Sequence, residues 1–155
     1  MGLVGKKMGQ MKSLRILFLM LVVIYSPYLL AQVISMDSYG KRIYESADWK
    51  SNFKFYQTTS ILNLREKQKV WEIYTNGKKS IYTIKKTTYH QQGRTITAGD
   101  VCSFICAGEN GTRYDIDFAY MSDITGDELF TLTVTSPWQR VIYYIYGDEF
   151  WKNTQ

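Results

Sequence analysis

A pair of aspartates is the first feature of this sequence that could support chemistry. Asp115 and Asp117 alternate with apolar residues, so on a β-strand their carboxylates share one face, roughly 6–7 Å apart. Carboxylates at that separation can bind a cation or act together as general acid and base. The same alternation is typical of the solvent face of an amphipathic strand, which is the interpretation we favour.

A lone histidine is the second candidate. His90 is the only histidine in the chain, and it lies in the polar run 87–93, which ends in glycine and predicts a loop. One histidine cannot supply a multi-histidine zinc site. Neither Gly-x-Ser-x-Gly nor another nucleophile signature accompanies it. We therefore expect an exposed loop histidine without a catalytic role.

The chain has two cysteines, Cys102 and Cys106. An oxidising compartment favours a disulfide between them. In a continuous strand, however, residues four apart are separated by about 13 Å, whereas the Cα atoms of a disulfide lie within about 7 Å. Two buried thiols on one face of a strand are the preferred interpretation. A disulfide across a bulge is the alternative, and a metal or redox pair is the least favoured.

An acidic stretch at 121–128 contains Asp123, Asp127 and Glu128. It does not match the alternating oxygen ligands of a calcium-binding loop, closed by a glutamate at the twelfth position. Since the sequence offers no catalytic or metal-ligating constellation, we expect a protein that is not an enzyme and that holds no metal and no cofactor.

Residues 1–31 have the three-part pattern of a secretory signal peptide. Basic residues come first, an apolar run follows, and Ala31 precedes the expected cleavage site before Gln32. A retained membrane anchor is the alternative, but the apolar run is shorter than the roughly 20 residues that span a bilayer, and Pro27 interrupts it. We expect a secreted or periplasmic protein with one β domain, residues 32–155, and no membrane span after cleavage.

The positive charge of the chain belongs to this leader. The whole sequence has a net charge of +5, but four of its cations and none of its carboxylates fall within residues 1–31. The remaining 15 Lys and Arg residues face 14 Asp and Glu residues. Because nucleic-acid binding needs a basic face or stripe, we exclude it. The partner we expect is a protein or a small hydrophobic ligand.

The chain after the leader is rich in β-forming residues and shows the period-2 alternation of a sheet. This pattern predicts seven strands, at 55–64, 69–75, 80–88, 99–107, 112–121, 129–135 and 139–146, and a short helix near 38–48. In the strand at 112–121, aromatic and aliphatic residues share one face, and aspartates lie on the other. The strand at 139–146 is apolar on both faces, which is typical of a strand that is covered on both sides or closes a barrel.

Asn-Gly turns separate two pairs of these strands. Asn76-Gly77 and Asn110-Gly111 predict type I′ hairpins, which need two positive φ angles. Antiparallel strands joined by short turns must hide their edges. We therefore predict an all-β fold, a small up-and-down meander that closes into a barrel or a curved sheet, after an N-terminal signal helix. A two-sheet sandwich is the alternative.

Aromatic residues are unusually dense near the end of the chain. The last strand carries Tyr143, Tyr144 and Tyr146, with Trp138 before it and Trp151 after it. Aromatic side chains fill cores, line ligand cavities or anchor interfaces, and ordinary core packing is the favoured role. If the barrel carries a ligand, the residues that we expect to line its cavity are Trp71, Tyr82, Phe104, Phe118, Leu132 and Tyr144.

Three segments and the end of the leader resemble small secreted proteins of Bacteroidetes with no assigned function. They are 69–77, 106–111 and 114–117, with Leu30-Ala31-Gln32. This resemblance implies a secreted or periplasmic β-domain and carries over no catalytic residue. Size and meander are also similar to lipocalins, although the first tryptophan lies in Ala47-Asp48-Trp49 and not in a Gly-x-Trp motif on the first strand.

From these observations we expect an exported, non-enzymatic domain with a binding or envelope-interaction role. A lipocalin-like carrier of a small hydrophobic ligand is the alternative. Fold alone does not choose between the two.

Overall fold

The computed structural model describes residues 33–48, 50–90, 101–122 and 128–148. The leader 1–31, residues 123–127 of the acidic stretch and Trp151 lie outside the described residues. Among the residues that are described, no helix has the length and apolar character needed to cross a bilayer.

Ten antiparallel strands form a single sheet in the described part of the chain. They are β1 (Val33–Ser38), β2 (Gly40–Tyr44), β3 (Phe53–Tyr56), β4 (Ser60–Arg65), β5 (Val70–Thr75), β6 (Lys78–His90), β7 (Val101–Gly108), β8 (Arg113–Ser122), β9 (Glu128–Thr135) and β10 (Arg140–Tyr146). From β4 to β10, each strand pairs with the next strand along the chain. The predicted all-β meander is therefore confirmed.

The sheet curls until the two ends of the meander approach each other. β1 and β2 follow one another through Tyr39; β1 pairs with β4, and β2 pairs with β10. At the junction, the Tyr39 backbone N–H donates to the Tyr144 carbonyl oxygen at 3.0 Å. Through these backbone hydrogen bonds, β1 extends the first strand of the meander, β4, and β2 extends its last strand, β10. The sheet is barrel-like, and β3 adds to the far side of β2 as an edge strand.

The helix expected near 38–48 is wrong. Gly40–Tyr44 is a strand because its backbone is bonded on both sides, to Arg140–Tyr144 and to Phe53–Tyr56. These partners are distant in sequence, so a five-residue pattern cannot reveal them. The described residues form ten strands instead of the seven expected, for a related reason: β1 and β2 are additional, and the strand expected at 55–64 is divided into β3 and β4.

One of the two expected Asn-Gly turns has the predicted geometry. Asn76 and Gly77 have φ angles of 50° and 73°, as a type I′ turn between β5 and β6 requires. At the other turn only Gly111 has a positive φ, 78°. There Gly111 N–H donates to the Gly108 carbonyl, and Gly108 N–H donates to the Thr112 carbonyl. This hairpin has a longer turn that ends in a left-handed glycine, so the type I′ prediction is wrong here.

Strand β6 is longer than its sequence indicates. A β-bulge shifts its register against β7 between Ile84 and Lys86. After the bulge the ladder continues to His90, so the loop expected from residue 87 onwards is wrong at 87–90. Backbone hydrogen bonds to β7 hold this segment in the sheet, and they do not depend on apolar side chains. His90 itself is exposed, as expected.

Apolar side chains from alternate positions fill the concave side of the sheet. Trp71 meets Phe104 edge to face, with 5.6 Å between ring centroids, and Phe118 stacks on Phe130 at 5.5 Å. The buried members of this interior cluster are Ile34, Met36, Leu62, Leu64, Trp71, Ile73, Cys102, Phe104, Cys106, Ile116, Phe118, Phe130, Leu132, Val134, Tyr143 and Ile145. Burial of this apolar surface is the main force that holds the curled sheet together.

Strand β10 is covered on its inner face but only in part on its outer face, where Ile142 is buried and Tyr146 is 54% exposed. Tyr143 and Ile145 belong to the interior cluster, while Ile142 is buried on the outer face. The strand pairs with β9 on one edge and with β2 on the other. β10 is therefore the strand through which the meander meets the beginning of the sheet.

Candidate functional site

The paired aspartates lie on the outer face of β8 and are engaged in local contacts. Asp117 Oδ1 accepts a hydrogen bond from Ser103 Oγ at 2.6 Å. Asp115 Oδ1 lies 3.0 Å from Arg113 Nη2 in an exposed ion pair. Within the described ranges, no group of three or more His, Cys, Asp or Glu side chains is arranged to hold a metal. This geometry fits the solvent face of an amphipathic strand.

Both cysteines are free thiols that face the interior of the sheet. Cys102 is in register with Tyr89 and Phe118, four residues along β7 from Cys106. Burial raises the pKa of each thiol to about 12. Because the thiolate is the nucleophile and the metal ligand, neither sulfur is activated for chemistry at neutral pH.

The six residues named for a ligand cavity do not form one group. Trp71, Phe104, Phe118 and Leu132 belong to the buried interior cluster, and Tyr82 packs against it. Tyr144 lies on the other face of β10, where its ring is 5.5 Å from the Arg42 guanidinium carbon. The first five therefore face the concave side together, and Tyr144 is part of a different surface.

A buried carboxylate on the outer face of β5, Glu72, forms ion pairs with two cations. Glu72 Oε2 accepts from Arg65 Nε at 2.6 Å, and Glu72 Oε1 lies 2.8 Å from Lys79 Nζ. Tyr74 OH adds a third donor at 3.3 Å. Hydrogen bonds from Lys79 and Arg65 lower the pKa of Glu72. This carboxylate is satisfied across three strands, so its role is structural.

A group of aromatic rings outside the interior cluster is the least explained feature of the molecule. We call it the outer aromatic surface and define it as Tyr39, Arg42, Phe53, Phe55, Tyr144 and Tyr146, from β2, β3, β10 and the β1–β2 junction. Phe53, Phe55 and Tyr146 are 49%, 51% and 54% exposed. Exposed apolar side chains grouped in this way are a candidate interaction site.

The rings of this surface are held in contact with one another. Tyr39 stacks on Tyr146 with 3.9 Å between centroids and 15° between planes. The ring centroid of Phe55 lies 6.4 Å from that of Tyr144. These contacts fix the orientation of rings that are half exposed. A partner would therefore meet a preorganised surface, which lowers the entropy lost on binding.

Arg42 lies at the centre of the outer aromatic surface. Its guanidinium carbon is 4.8 Å from the Phe53 ring centroid and 5.5 Å from the Tyr144 centroid, within the range of cation–π attraction. Its Nε is buried and has no hydrogen-bond acceptor among the described residues. Aromatic residues and arginine are the types that dominate binding energy at protein interfaces.

A glycine allows the Phe55 ring to lie across β2. A Cβ atom at Gly40 would approach Phe55 Cζ to 2.7 Å and the Tyr56 carbonyl oxygen to 3.3 Å. Only glycine leaves room for this ring position, because 2.7 Å is far below van der Waals contact. Gly40 therefore positions Phe55 next to Tyr144.

The strands of this surface carry positive charge on both faces: Arg42 lies on the outer face, and Lys41 and Lys54 lie on the opposite face. β2 and β3 contain Lys41, Arg42 and Lys54 and no carboxylate. None of the three cations has an ion-pair partner among the residues that the structure describes. Burial lowers the pKa of Lys41, which is the effect expected when no nearby carboxylate stabilises the charged form.

The sequence alone does not reveal this surface. The alternation Phe53-Lys54-Phe55-Tyr56 predicts a strand, but it does not show which face stays uncovered. Arg42 fell in a segment expected to be helical. The useful signal was the absence of carboxylates from 40–44 and 53–56 combined with four aromatic residues.

Comparison of the chain with models of known protein families, with curated proteins and with solved structures gave no match. The functional interpretation therefore rests on the geometry of the chain itself.

Proposed function

We propose that this protein is an exported, non-enzymatic binding domain that engages a protein partner through its outer aromatic surface. Residues 1–31 direct export and are removed, and residues 32–155 act outside the cytoplasm. The observation that carries the proposal is the ordered group of half-exposed rings around Arg42.

Two further observations support a role on the outside of the sheet. The concave side is filled by the chain's own side chains, with Trp71 only 1% exposed and Leu132 fully buried. The acidic and thiol groups that could serve catalysis are paired or protonated at neutral pH. The outer aromatic surface is left as the part of the described molecule best suited to binding.

Site-specific photo-crosslinking tests this proposal. A benzoylphenylalanine residue replaces Phe55 in the full chain, which is exported by its source cell and irradiated there. The matched control carries the same group at Thr87, which is exposed on β6, a strand that pairs with none of the strands forming the surface. We expect a discrete crosslinked protein from position 55 only, which disappears when unlabelled wild-type chain is present in excess. Equal products from both positions, or none from position 55, would contradict the proposal.

The carrier function is the second candidate, and the barrel-like curvature of the sheet favours it. A carrier must admit a ligand among Trp71, Phe104 and Leu132, which belong to one buried cluster. Opening that cluster would expose large apolar side chains to water, which is unfavourable in free energy. Binding to the outer aromatic surface needs no such rearrangement, and for that reason we place the carrier second.

A further inference from the structure

The edge strand β3 has backbone groups that no strand of the described chain uses. The Glu45 backbone N–H donates to the Asn52 carbonyl oxygen at 3.1 Å, next to the first β2–β3 rung. Hydrogen-bonded pairs alternate in an antiparallel ladder, so the next bonded pairs are Ile43 with Lys54 and then Lys41 with Tyr56. The N–H and C=O groups of Phe53 and Phe55 therefore point away from β2, toward the free edge of the sheet.

The two faces beside this edge differ in chemistry. Phe53 and Phe55 share the outer face with Tyr44 and Arg42, their partners on β2. Lys54 and Tyr56 lie on the opposite face, where Lys41 is the register partner of Tyr56. A strand added to the edge would place alternate side chains beside the two phenylalanine rings on one face and beside Lys54 and Tyr56 on the other.

We infer that β3 accepts an extended segment of the partner as an additional antiparallel strand, and that this segment alternates apolar with acidic side chains. Apolar side chains cover Phe53 and Phe55, and a carboxylate pairs with Lys54. The inference rests on the proposed function, because it specifies how the partner meets the same surface. Main-chain hydrogen bonds supply affinity in this mode, and alternate side chains supply specificity.

A second copy of the chain fits this edge less well. If Phe53 of one copy pairs with Phe55 of the other, the two Lys54 residues lie directly opposite each other, and like charges in that position destabilise a sheet. Pairing centred on Phe55 avoids this repulsion but leaves Lys54 opposite a tyrosine, without a carboxylate. Charge complementarity therefore favours an acidic segment of another protein over self-association.

A synthetic peptide can test the inference on the full chain purified after export. The probe is a blocked, fluorescently labelled peptide of four Glu-Val repeats, and binding is followed by anisotropy. One control peptide replaces each Glu with Lys. A second control keeps the Glu-Val sequence but is N-methylated at alternate residues, so that it cannot donate hydrogen bonds along one edge. We expect both controls to bind at least about tenfold more weakly than the probe.

Two substitutions at one position separate the backbone from the ring. Phe55→Ala removes the ring and keeps the N–H group. Phe55→Pro also removes the outward N–H group, which the β2–β3 ladder does not use, so the fold tolerates proline at this edge. We expect Phe55→Pro to bind the probe at least about tenfold more weakly than Phe55→Ala. Circular dichroism checks that both variants are folded, and the N-methylated peptide tests the same point on wild-type protein.

The outcomes separate the inference from the proposed function. Equal binding of the N-methylated and unmodified peptides, or no binding of the probe at all, overturns strand addition. A crosslinked partner at Phe55 would still uphold the proposed function. A stable dimer of the free protein that Phe55→Pro dissociates would show that a second copy occupies the edge, which also overturns the inference.

Discussion

The closing strand β10 offers a quantitative test of the fold, because two isoleucines of the sheet differ sharply in burial. Ile145 on β10 is fully buried in register with Phe130, whereas Ile61 on β4 is 43% exposed. Replacing isoleucine with alanine removes three carbons, each worth about 0.8 kcal/mol when buried. A cavity term is added where the surroundings cannot collapse. We therefore expect Ile145→Ala to lower the free energy of unfolding by roughly 2–4 kcal/mol.

The same chemical change at Ile61 is the matched control. Because nearly half of this side chain already meets solvent, we expect Ile61→Ala to cost about 1 kcal/mol or less. Urea titration measures both, with the fluorescence of buried Trp71 contributing to the signal, and the slopes should agree between variants. Equal losses in the two variants would refute the claim that β10 is packed on its interior face against the rest of the sheet.

Three further predictions follow from individual contacts. Since hydrogen bonds lower the pKa of Glu72 below its ordinary value of 4.5, this carboxylate stabilises the fold above that pH, and the contribution is lost as the pH falls through the folded-state pKa. Glu72→Gln should therefore lower the urea midpoint at pH 7, and the difference from wild type should shrink at pH 3; a constant difference would contradict this. The raised pKa of Cys102 and Cys106 predicts slow iodoacetamide labelling in the folded state, rapid labelling in urea and an unchanged mass on reduction, whereas a gain of about 2 Da would reveal a disulfide. Gly40→Ala should displace the Phe55 ring and weaken partner binding with little loss of stability, and unchanged partner binding would show that Gly40 does not set the ring position.

The strands whose faces differ in polarity could be predicted from sequence. In β8, Ile116 and Phe118 point inwards while Asp115 and Asp117 point outwards, because period-2 alternation in a half-buried strand reports its orientation directly. Strand β10 has apolar residues on both faces, and this pattern likewise indicated a strand at which the sheet closes on itself. These signals are local, so a single sequence contains them.

The features that could not be predicted depend on pairing between segments that are distant in the sequence. Nothing near Gly40–Tyr44 shows that β10 and β3 will bond it on both sides. Tyr144 was grouped with interior residues because its strand is apolar on both faces, and periodicity cannot assign such a residue to one face. The exposure of Phe53 and Phe55 follows from the position of β3 at the sheet edge, which the sequence does not state.

The central claim is that the chain's own side chains fill the interior of the sheet and that binding occurs on the outer aromatic surface. The intact mass of the exported protein, recorded under native and then denaturing conditions, tests this claim most directly. The account predicts one mass in both spectra, that of a chain beginning at Gln32, with no co-purified small molecule. Loss of a few hundred daltons on denaturation would contradict it, because a ligand would then occupy the space assigned here to side chains such as Trp71 and Leu132.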